Sequence, residues 1–135
     1  MRYTYRCPLR WSDMDVFGHV NNARFLTLYE EARVALFFVH ARAAGLTSFE
    51  EGVVIHRHEV DYLRPVDYGS DVRIDLWVEE IRPSRFTVAY ELFDGDATAG
   101  RARSVCVLFD LASRRPRRLS GAERAFLEAW TVDAA

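Results

Sequence analysis

The sequence of 135 residues has little cysteine, no long apolar run and no marked excess of either charge. Its only cysteines, Cys7 and Cys106, are typical of reduced, buried thiols rather than of a disulfide framework. No apolar run approaches the roughly 18 residues that cross a bilayer, and the first residues lack the apolar segment of a signal peptide. We therefore expect a soluble, cytoplasmic protein.

The charge balance and the missing motifs exclude several classes of function. With 18 basic and 20 acidic residues, the net charge of -2 indicates neither nucleic acid nor an anionic membrane as a partner. The sequence has no Gly-x-Ser-x-Gly elbow, which argues against an α/β serine hydrolase. It also has no Gly-x-Gly-x-x-Gly and no P-loop, so neither dinucleotide nor ATP chemistry is indicated.

Length and hydropathy patterning predict a single domain over residues 1–135 with a sizeable core, since half of the residues are hydrophobic. An alternation of period two over residues 3–11 predicts a first strand. Pro8 lacks a backbone N–H, so it places this strand at a sheet edge or bends it. Residues 12–22 are rich in Asp, Gly and Asn and are predicted to form a loop.

A long helix is predicted over residues 23–44, which contain neither Pro nor Gly. Asn22 is the candidate N-cap, and Gly45 is the candidate residue that ends the helix. The apolar stripe of this segment is wide, which favours a helix covered on most sides.

The rest of the chain predicts four strands and a short final helix. The strands are expected at residues 53–63, 72–79 and 86–92, and from the Asp94-Gly95-Asp96 hairpin to about residue 109. Ser120 and Glu123 form a predicted capping box before a helix that contains Phe126, Leu127 and Trp130. Tight turns between consecutive strands imply an antiparallel sheet. The predicted fold class is therefore α+β, with one long helix against a curled antiparallel sheet.

Chemistry-bearing side chains crowd into the loop between the first strand and the long helix. They are Asp13, Asp15, Gly18, His19, Asn21 and Asn22. The helix start adds unpaired N–H groups and the positive end of the macrodipole, which stabilise an oxyanion. A carboxylate beside it is suited to deprotonating water or attacking a carbonyl. The loop thus favours hydrolysis or transfer at an activated carbonyl, although helix capping alone also accounts for these residue types.

This loop also carries a resemblance to a known family. The run Asp-x-Asp-x-x-Gly-His-Val-Asn-Asn at residues 13–22, followed by Glu31-Ala32-Arg33, resembles the signature of the 4-hydroxybenzoyl-CoA thioesterase-like family. The later segments Val60-Asp61-Tyr62-Leu63-Arg64-Pro65-Val66 and Gly69-Ser70-Asp71-Val72 resemble that family's central strand and turn.

The resemblance implies a hotdog fold and hydrolysis of an acyl-CoA thioester, with no cofactor and no metal. It implies a homodimer or homotetramer with active sites at subunit interfaces. Asp15 corresponds to the family's catalytic carboxylate, acting as nucleophile or as general base, and amides around Ala23 to Phe25 would polarise the thioester carbonyl. The expected substrate-binding residues are Gly18, His19, Asn22, Ala23, Arg24 and Phe25. Long-chain fatty acyl and aryl groups both remain open as the acyl group.

Several residues of the loop also have structural interpretations. Asp13 is expected to form a turn contact or a salt bridge with Arg10 rather than to act in catalysis. Two roles remain open for His19. Its side chain either hydrogen-bonds Asp15 or the substrate, or it forms a hydrogen bond that fixes the loop. Gly18 is expected to have positive φ or to allow close approach of substrate, and Asn22 is expected to cap the helix.

Charged residues elsewhere offer weaker alternatives. Glu30 and Glu31 lie on the helix, where another hotdog branch places its carboxylate, but an ion pair with Arg33 is the favoured interpretation. His56 and His58 share one face of a predicted strand, and ordinary polar pairing is favoured over a metal. A basic cluster, Arg114, Arg115, Arg117 and Arg118, is a hypothetical site for the CoA phosphates.

Two rival functions are kept beside the hydrolase. One is a hotdog protein that binds acyl thioesters without turnover, and the other is a hotdog dehydratase that moves protons on the acyl chain. The hydratase motif that the second requires is not found in the sequence, and the presence of Asp15 disfavours the first.

Overall fold

A curled antiparallel sheet forms the larger layer of the molecule, whose computed structural model describes residues 1–132. The strands are β1 (Tyr3–Cys7), β2 (Val53–Tyr62), β3 (Val72–Ile81), β4 (Arg85–Asp94), β5 (Ala97–Asp110) and β6 (Arg115–Pro116). Their order is β1-β3-β4-β5-β2, and the two-residue β6 pairs with β5. The four predicted strands and the tight hairpin at Gly95 and Asp96 are confirmed, and β6 is an addition.

The first strand is shorter than predicted. β1 ends at Cys7, directly before Pro8, and Trp11, the last residue of the predicted strand, begins a 3-10 turn (Trp11–Asp13). Pro8 cannot donate a ladder hydrogen bond, which explains the early end. β1 lies at one edge of the sheet, as Pro8 predicted.

β2 and β3 follow each other in the sequence but do not pair. β2 is hydrogen-bonded to β5 and forms the second edge of the sheet, whereas β3 lies between β1 and β4. As a result, β2 and the segment after it lie beside the helix start. The antiparallel sheet predicted from the tight turns is confirmed, and these turns join β3, β4 and β5, which are neighbours in the sheet.

One continuous helical segment packs against the sheet. It begins with α1 (Asn22–Val34), passes through a π-helical stretch (Ala35–His40) and ends with α2 (Ala41–Ala43). The N-cap is Asn21, which corrects the prediction of Asn22. The Asn21 backbone is still non-helical, and its side-chain oxygen accepts from the Ala23 N–H at 2.9 Å.

The central helix is covered on one side only within the protomer, which differs from the expectation of cover on most sides. Its inward side chains join the apolar face of the sheet in one core that includes Phe25, Leu28, Tyr29, Ala32, Leu36, Phe37, Ile74, Leu76, Val88, Tyr90, Leu92 and Leu108. Glu30, Glu31 and Val39 are exposed. None of the helices in residues 1–132 is long and apolar enough to cross a membrane.

The final helix, α3 (Gly121–Ala129), closes one end of the core. Its predicted capping box is confirmed, because the Ser120 hydroxyl accepts from the Glu123 N–H and the Glu123 carboxylate accepts from the Ser120 N–H. Leu127 is fully buried, and Phe126 contacts the aromatic cluster around Phe37.

Candidate active site

The loop that carries Asp15 is folded into a tight turn in front of α1. The Asp15 N–H donates to the His19 carbonyl at 2.9 Å, and the Gly18 N–H donates to the Asp15 carbonyl at 3.0 Å. Gly18 has φ +78 and open space around its α-carbon. The sequence-based expectation of positive φ is therefore confirmed, and this backbone conformation is what requires glycine.

The Asp15 carboxylate is half-buried and has only part of its hydrogen-bonding capacity filled. One oxygen, Oδ1, accepts from the Phe17 N–H at 2.9 Å, which is an Asx-turn contact. Among the described residues no hydrogen bond or ion pair to Oδ2 is formed. The carboxylate is thus held in place and keeps one oxygen free to accept a proton or attack a carbonyl.

Asp15 lines an open cleft of about 340 Å³. The cleft lies between the turn, the first turn of α1 and the end of β2, and its lining residues are Asp15, His19, Val20, Asn22, Phe25, Tyr62, Leu63, Arg64 and Pro65. Four of the predicted site residues therefore meet at one cleft. Gly18, Ala23 and Arg24 lie beside it in the chain but are absent from its lining.

Two contacts connect this cleft to sequence-distant parts of the chain. His19 Nε2 lies 3.4 Å from Asp67 Oδ1, which is an ion pair when the imidazole is protonated. Within the protomer the His19 side chain therefore contacts Asp67. This contact matches the second of its two predicted roles, in which it fixes the loop. The Tyr62 hydroxyl donates to the Asn22 carbonyl at 2.9 Å and attaches the end of β2 to the helix start.

Asp13 has the structural role expected for it. Its side chain is 1% exposed, and the Arg10 N–H donates to its Oδ2 at 2.8 Å while Arg10 Nη2 lies 3.2 Å from Oδ1. Burial raises the pKa of Asp13, but the hydrogen bonds and the charge of Arg10 outweigh this effect and leave the pKa below its usual value. Asp13 is therefore an ionised turn residue that faces away from the cleft lining.

The amides at the start of α1 are only partly free. The Ala23 N–H donates to the Asn21 side chain, and the Arg24 N–H donates to the Asn21 carbonyl, both at 2.9 Å. The Asn22 N–H, in contrast, has no acceptor among the described residues, and Asn22 lines the cleft. The helix start therefore offers the unpaired Asn22 donor in addition to its macrodipole.

The alternative carboxylates and histidines are placed elsewhere. Glu30 forms the expected ion pair with Arg33, at 3.8 Å, and Glu31 is exposed. The register of β2 shifts between Ile55 and Arg57, so strict alternation does not continue across His56. His58 Nδ1 lies 2.8 Å from the Ser104 hydroxyl, an ordinary polar pair. Within residues 1–132, no three His, Cys, Asp or Glu side chains are grouped to hold a metal ion.

The basic cluster near the C-terminus is divided by the structure. Arg117 forms a bidentate ion pair with Glu123 of α3, in which both of its terminal nitrogens lie 2.8 Å from the carboxylate oxygens. The other three arginines, at 114, 115 and 118, are exposed near β6, beyond the Val53 end of β2. The cleft is at the Tyr62 end, and ten residues of strand span about 30 Å. The cluster is therefore remote from the cleft of the same protomer.

Sequence reasoning missed the wall that the end of β2 contributes. Leu63, Arg64 and Pro65 line the cleft, although they were assigned only to a strand and a turn. A signal was present, because these residues lie in the second segment that carries the family resemblance. Phe25 and Tyr62 face each other in this wall with ring centroids 5.1 Å apart.

A curled antiparallel sheet packed on one long helix is the architecture of the hotdog fold. Comparison with known proteins agrees: residues 9–130 match the profile of the thioesterase-like superfamily, and the chain belongs to this family. The family expected from the loop signature is thereby confirmed, and the protein is a thioester hydrolase.

Individual relatives support the same assignment. The chain is 27% identical over 139 residues to a 1,4-dihydroxy-2-naphthoyl-CoA hydrolase of Nostoc punctiforme, covering 99% of this chain and 92% of that protein. A predicted thioesterase of Bacillus stearothermophilus superposes with a TM-score of 0.86 at 27% identity over 100% of both chains. A Thermus thermophilus thioesterase, solved with coenzyme A and zinc, gives a TM-score of 0.80 at 31% identity, covering 94% of this chain and 92% of that one.

Proposed function

We propose that the protein hydrolyses an acyl-CoA thioester to a carboxylic acid and free CoA, with Asp15 as the catalytic carboxylate. The observation that carries the proposal is the position of Asp15, which lines a cleft at the start of α1 and keeps one oxygen unpaired. Asp15 either removes a proton from water or attacks the thioester carbonyl itself. The unpaired Asn22 N–H and the helix dipole stabilise the oxyanion that develops.

We infer further that the acyl group is aromatic. The Phe25 and Tyr62 rings form one wall of the cleft, and aromatic faces favour stacked or edge-on aromatic partners. The curated relative from Nostoc punctiforme carries an aryl-CoA substrate in its name. Arg64 lines the same cleft without a side-chain partner among the described residues, and a guanidinium is well suited to a CoA phosphate.

The assembly that we propose is a homodimer or homotetramer with the cleft at a subunit interface. Its support is the exposed edge strand β2, which ends at the cleft and leaves Val54, Ile55 and Tyr62 between 36% and 48% exposed. An uncovered edge strand is a ready site for pairing with a second copy. A cytoplasmic location and the absence of any cofactor stay predictions of the sequence.

The first test measures release of free thiol from a panel of acyl-CoAs by wild type, Asp15→Asn and Asp71→Asn. Asp71 is an exposed carboxylate that is not part of the cleft lining, so its variant is the matched control. We expect benzoyl and naphthoyl thioesters to be hydrolysed faster than fatty acyl ones. Loss of the carboxylate should lower kcat by about 10²- to 10⁴-fold. Burial raises the pKa of Cys7 and of Cys106 to about 12, so the protein's own thiols add little background.

The outcomes separate the proposal from its rivals. If no thioester releases thiol, the protein binds acyl thioesters without turnover. If the unsaturation of the acyl chain changes instead, the dehydratase is correct. If Asp15→Asn is folded and as active as wild type, Asp15 only shapes its loop.

A single-turnover reaction in ¹⁸O-labelled water distinguishes the two roles of Asp15. A nucleophilic carboxylate forms an anhydride, and water attack on its aspartyl carbonyl leaves label in Asp15, which peptide mass spectrometry detects. A general base activates water instead and leaves Asp15 unlabelled. Water attack on the acyl carbonyl of an anhydride also leaves Asp15 unlabelled, so label found in Asp15 is the decisive result and establishes the nucleophile.

A further inference from the structure

The middle of the edge strand β2 carries a histidine on one face and opposite charges on the other. His58 lies opposite the buried Ser104 of β5, and its Nδ1 lies 2.8 Å from the Ser104 hydroxyl, so this side chain is on the inner, helix-facing side of the sheet. Arg57 and Glu59 flank it on the outer face and form an ion pair at 2.8 Å. All three side chains are exposed, because β2 is the last strand in the sheet order.

Symmetry restricts how this edge pairs with a second copy of the chain. Two copies of one edge strand pair antiparallel about a two-fold axis perpendicular to the sheet, and such an axis keeps inner side chains on the inner face. Directly opposite residues then belong to the same face, so the residue on the axis lies opposite its own copy. Arg57 and His58 are the two middle positions of the ten-residue strand, so these two registers give the longest ladder.

The charges on the outer face distinguish these two registers. With Arg57 on the axis, two guanidinium groups would lie directly opposite each other, which is destabilising. With His58 on the axis, Arg57 lies opposite the partner's Glu59 and Glu59 lies opposite the partner's Arg57, so two pairs of opposite charge cross the interface. The residue that faces itself is then an imidazole, whose neutral form has no like-charge repulsion.

We propose that β2 pairs with β2 of a second copy in the register that places His58 on the two-fold axis, and that protonation of the two facing imidazoles separates the copies. The inference rests on the assembly proposed above. It adds the register of the interface and the response of the interface to pH.

The surroundings of His58 favour its neutral form. Burial lowers the pKa of His58 and the charge of Arg33 lowers it further, whereas the charge of Glu30 raises it. Ser104, its neighbour on β5, is uncharged. With a pKa below the usual 6.5, the imidazole is neutral at pH 7 and becomes charged only as the pH falls below 6.5. His58 and the partner's His58 then repel each other, so the association is present above pH 6.5 and is weakened by acid.

Cysteine substitution tests the register. His58→Cys should form an intermolecular disulfide under mild oxidation, since opposite residues of an antiparallel pair have Cα atoms about 4.5–5.5 Å apart, within the range of a disulfide. Arg57→Cys, the alternative axis residue, is the matched control and should stay reduced. Cys7 and Cys106 are buried, and burial raises the pKa of each to about 12, so they add little background. Non-reducing electrophoresis measures the covalent dimer.

Either of two results would overturn this register. One is a disulfide that forms in Arg57→Cys and not in His58→Cys. The other is the absence of a disulfide in both variants while each still sediments as a dimer.

Sedimentation at pH 7.5 and 5.5 tests the response to pH. Uptake of two protons per dimer raises the dissociation constant by up to about 100-fold for each pH unit below the pKa. We expect an increase of about 10-fold or more for wild type and no increase for His58→Gln. His56→Gln, an exposed histidine of the same strand, is the control and should respond as wild type does. Circular dichroism at pH 5.5 checks that each variant is folded.

The outcomes separate this inference from the proposals on which it rests. A wild type that is monomeric at both pH values overturns the assembly and the inference together. A dimer with the same acid response in wild type and His58→Gln, or one whose response disappears in His56→Gln, overturns the inference alone. Thiol release from acyl-CoA is measured separately, so a failure of the thioesterase assay leaves the results on the interface unaffected.

Discussion

Asp13 and Asp15 lie two residues apart, but their carboxylates have different surroundings. Asp13 is buried and its two oxygens are both contacted by Arg10. Asp15 is half-buried, receives one hydrogen bond from the Phe17 N–H and lines a cleft. Two chemically identical side chains thus differ in the hydrogen-bonding capacity that each has left over, and only Asp15 lines the cleft.

Gly100 faces the Tyr29 hydroxyl, and this position has no space for a side chain. An added β-carbon at Gly100 would lie 2.8 Å from the Tyr29 hydroxyl and 3.3 Å from the ring of Phe25, which lines the cleft. The Tyr29 hydroxyl is buried and has no hydrogen-bond partner among the described residues. Glycine at position 100 therefore leaves space for the Tyr29 hydroxyl, which is buried without a hydrogen bond to offset its loss of water.

We predict that Gly100→Ala lowers the free energy of unfolding by about 1–3 kcal/mol, because the core there is already filled. Tyr29→Phe removes the crowded hydroxyl and should recover part of this loss in the double variant. Urea unfolding measures both effects. Gly121→Ala is the matched control, since nothing lies within 4 Å of its added β-carbon. Equal stability of Gly100→Ala and wild type would contradict the prediction.

At the scale of elements, α3 is attached to the rest of the fold through Glu123. Its carboxylate accepts two hydrogen bonds from Arg117, both at 2.8 Å, and one from the Ser120 N–H. Arg117 also donates to the Ser48 carbonyl at 3.0 Å, which joins α3 to the segment before β2. One buried carboxylate thus caps a helix and connects two distant segments.

This arrangement makes the stability of the protein sensitive to acid. Burial raises the pKa of Glu123, but the hydrogen bonds from Arg117 and Ser120 outweigh it and lower the pKa from 4.5 to about 2. A folded-state pKa below the unfolded one means that the carboxylate stabilises the fold above about pH 4.5. This contribution should be lost as the pH falls toward 2.

We predict that Glu123→Gln lowers the free energy of unfolding at neutral pH by about 2–3 kcal/mol, because it leaves Arg117 without its carboxylate. Between pH 5 and 2 the variant should also lose less stability than wild type, and this difference should be at most about 2–3 kcal/mol. Denaturant unfolding across this pH range measures both. Glu128→Gln, an exposed position on the same helix, is the control. A parallel acid response in Glu123→Gln and wild type would exclude this role.

At the scale of the whole molecule, the two sheet edges differ. β1 is short and followed by Pro8, whereas β2 is ten residues long, largely exposed and bears Val54 and Ile55 at 38% and 36% exposure. Proteins protect long apolar edges by pairing or covering them. The central helix likewise leaves Val39 at 64% exposure. These surfaces are consistent with the oligomer that we propose.

We predict that the protein migrates in analytical ultracentrifugation with at least twice its chain mass of 15.6 kDa. Val54→Lys, which places a charge on the β2 edge, should shift it toward the monomer. Val132→Lys, at an exposed apolar position next to the Thr131 bridge to β3 and not on β2, should leave the mass unchanged. A monomeric wild type at micromolar concentration would contradict the prediction.

The sequence alone predicted the elements whose signals are local. Alternation, capping residues and Gly-containing turns depend on neighbours a few positions away, so the helix, the four later strands and the Ser120 capping box were all predictable. The errors were also local in origin: β1 ended early at Pro8, and the helix cap shifted by one residue to Asn21. Asp15 and its loop were found from a motif within ten residues.

Only the tertiary structure decided what faces that loop. β2 pairs with β5 instead of with its sequence neighbour β3, and this order brings Tyr62 and Arg64 to the cleft of Asp15. The same packing buries Arg33 beside a cavity that its helical position did not predict. Strand order depends on which apolar faces combine across the whole core, a long-range choice that no local pattern encodes. The residues of the loop and its turn were therefore determined by the sequence, and the residues that face the loop were determined by the fold.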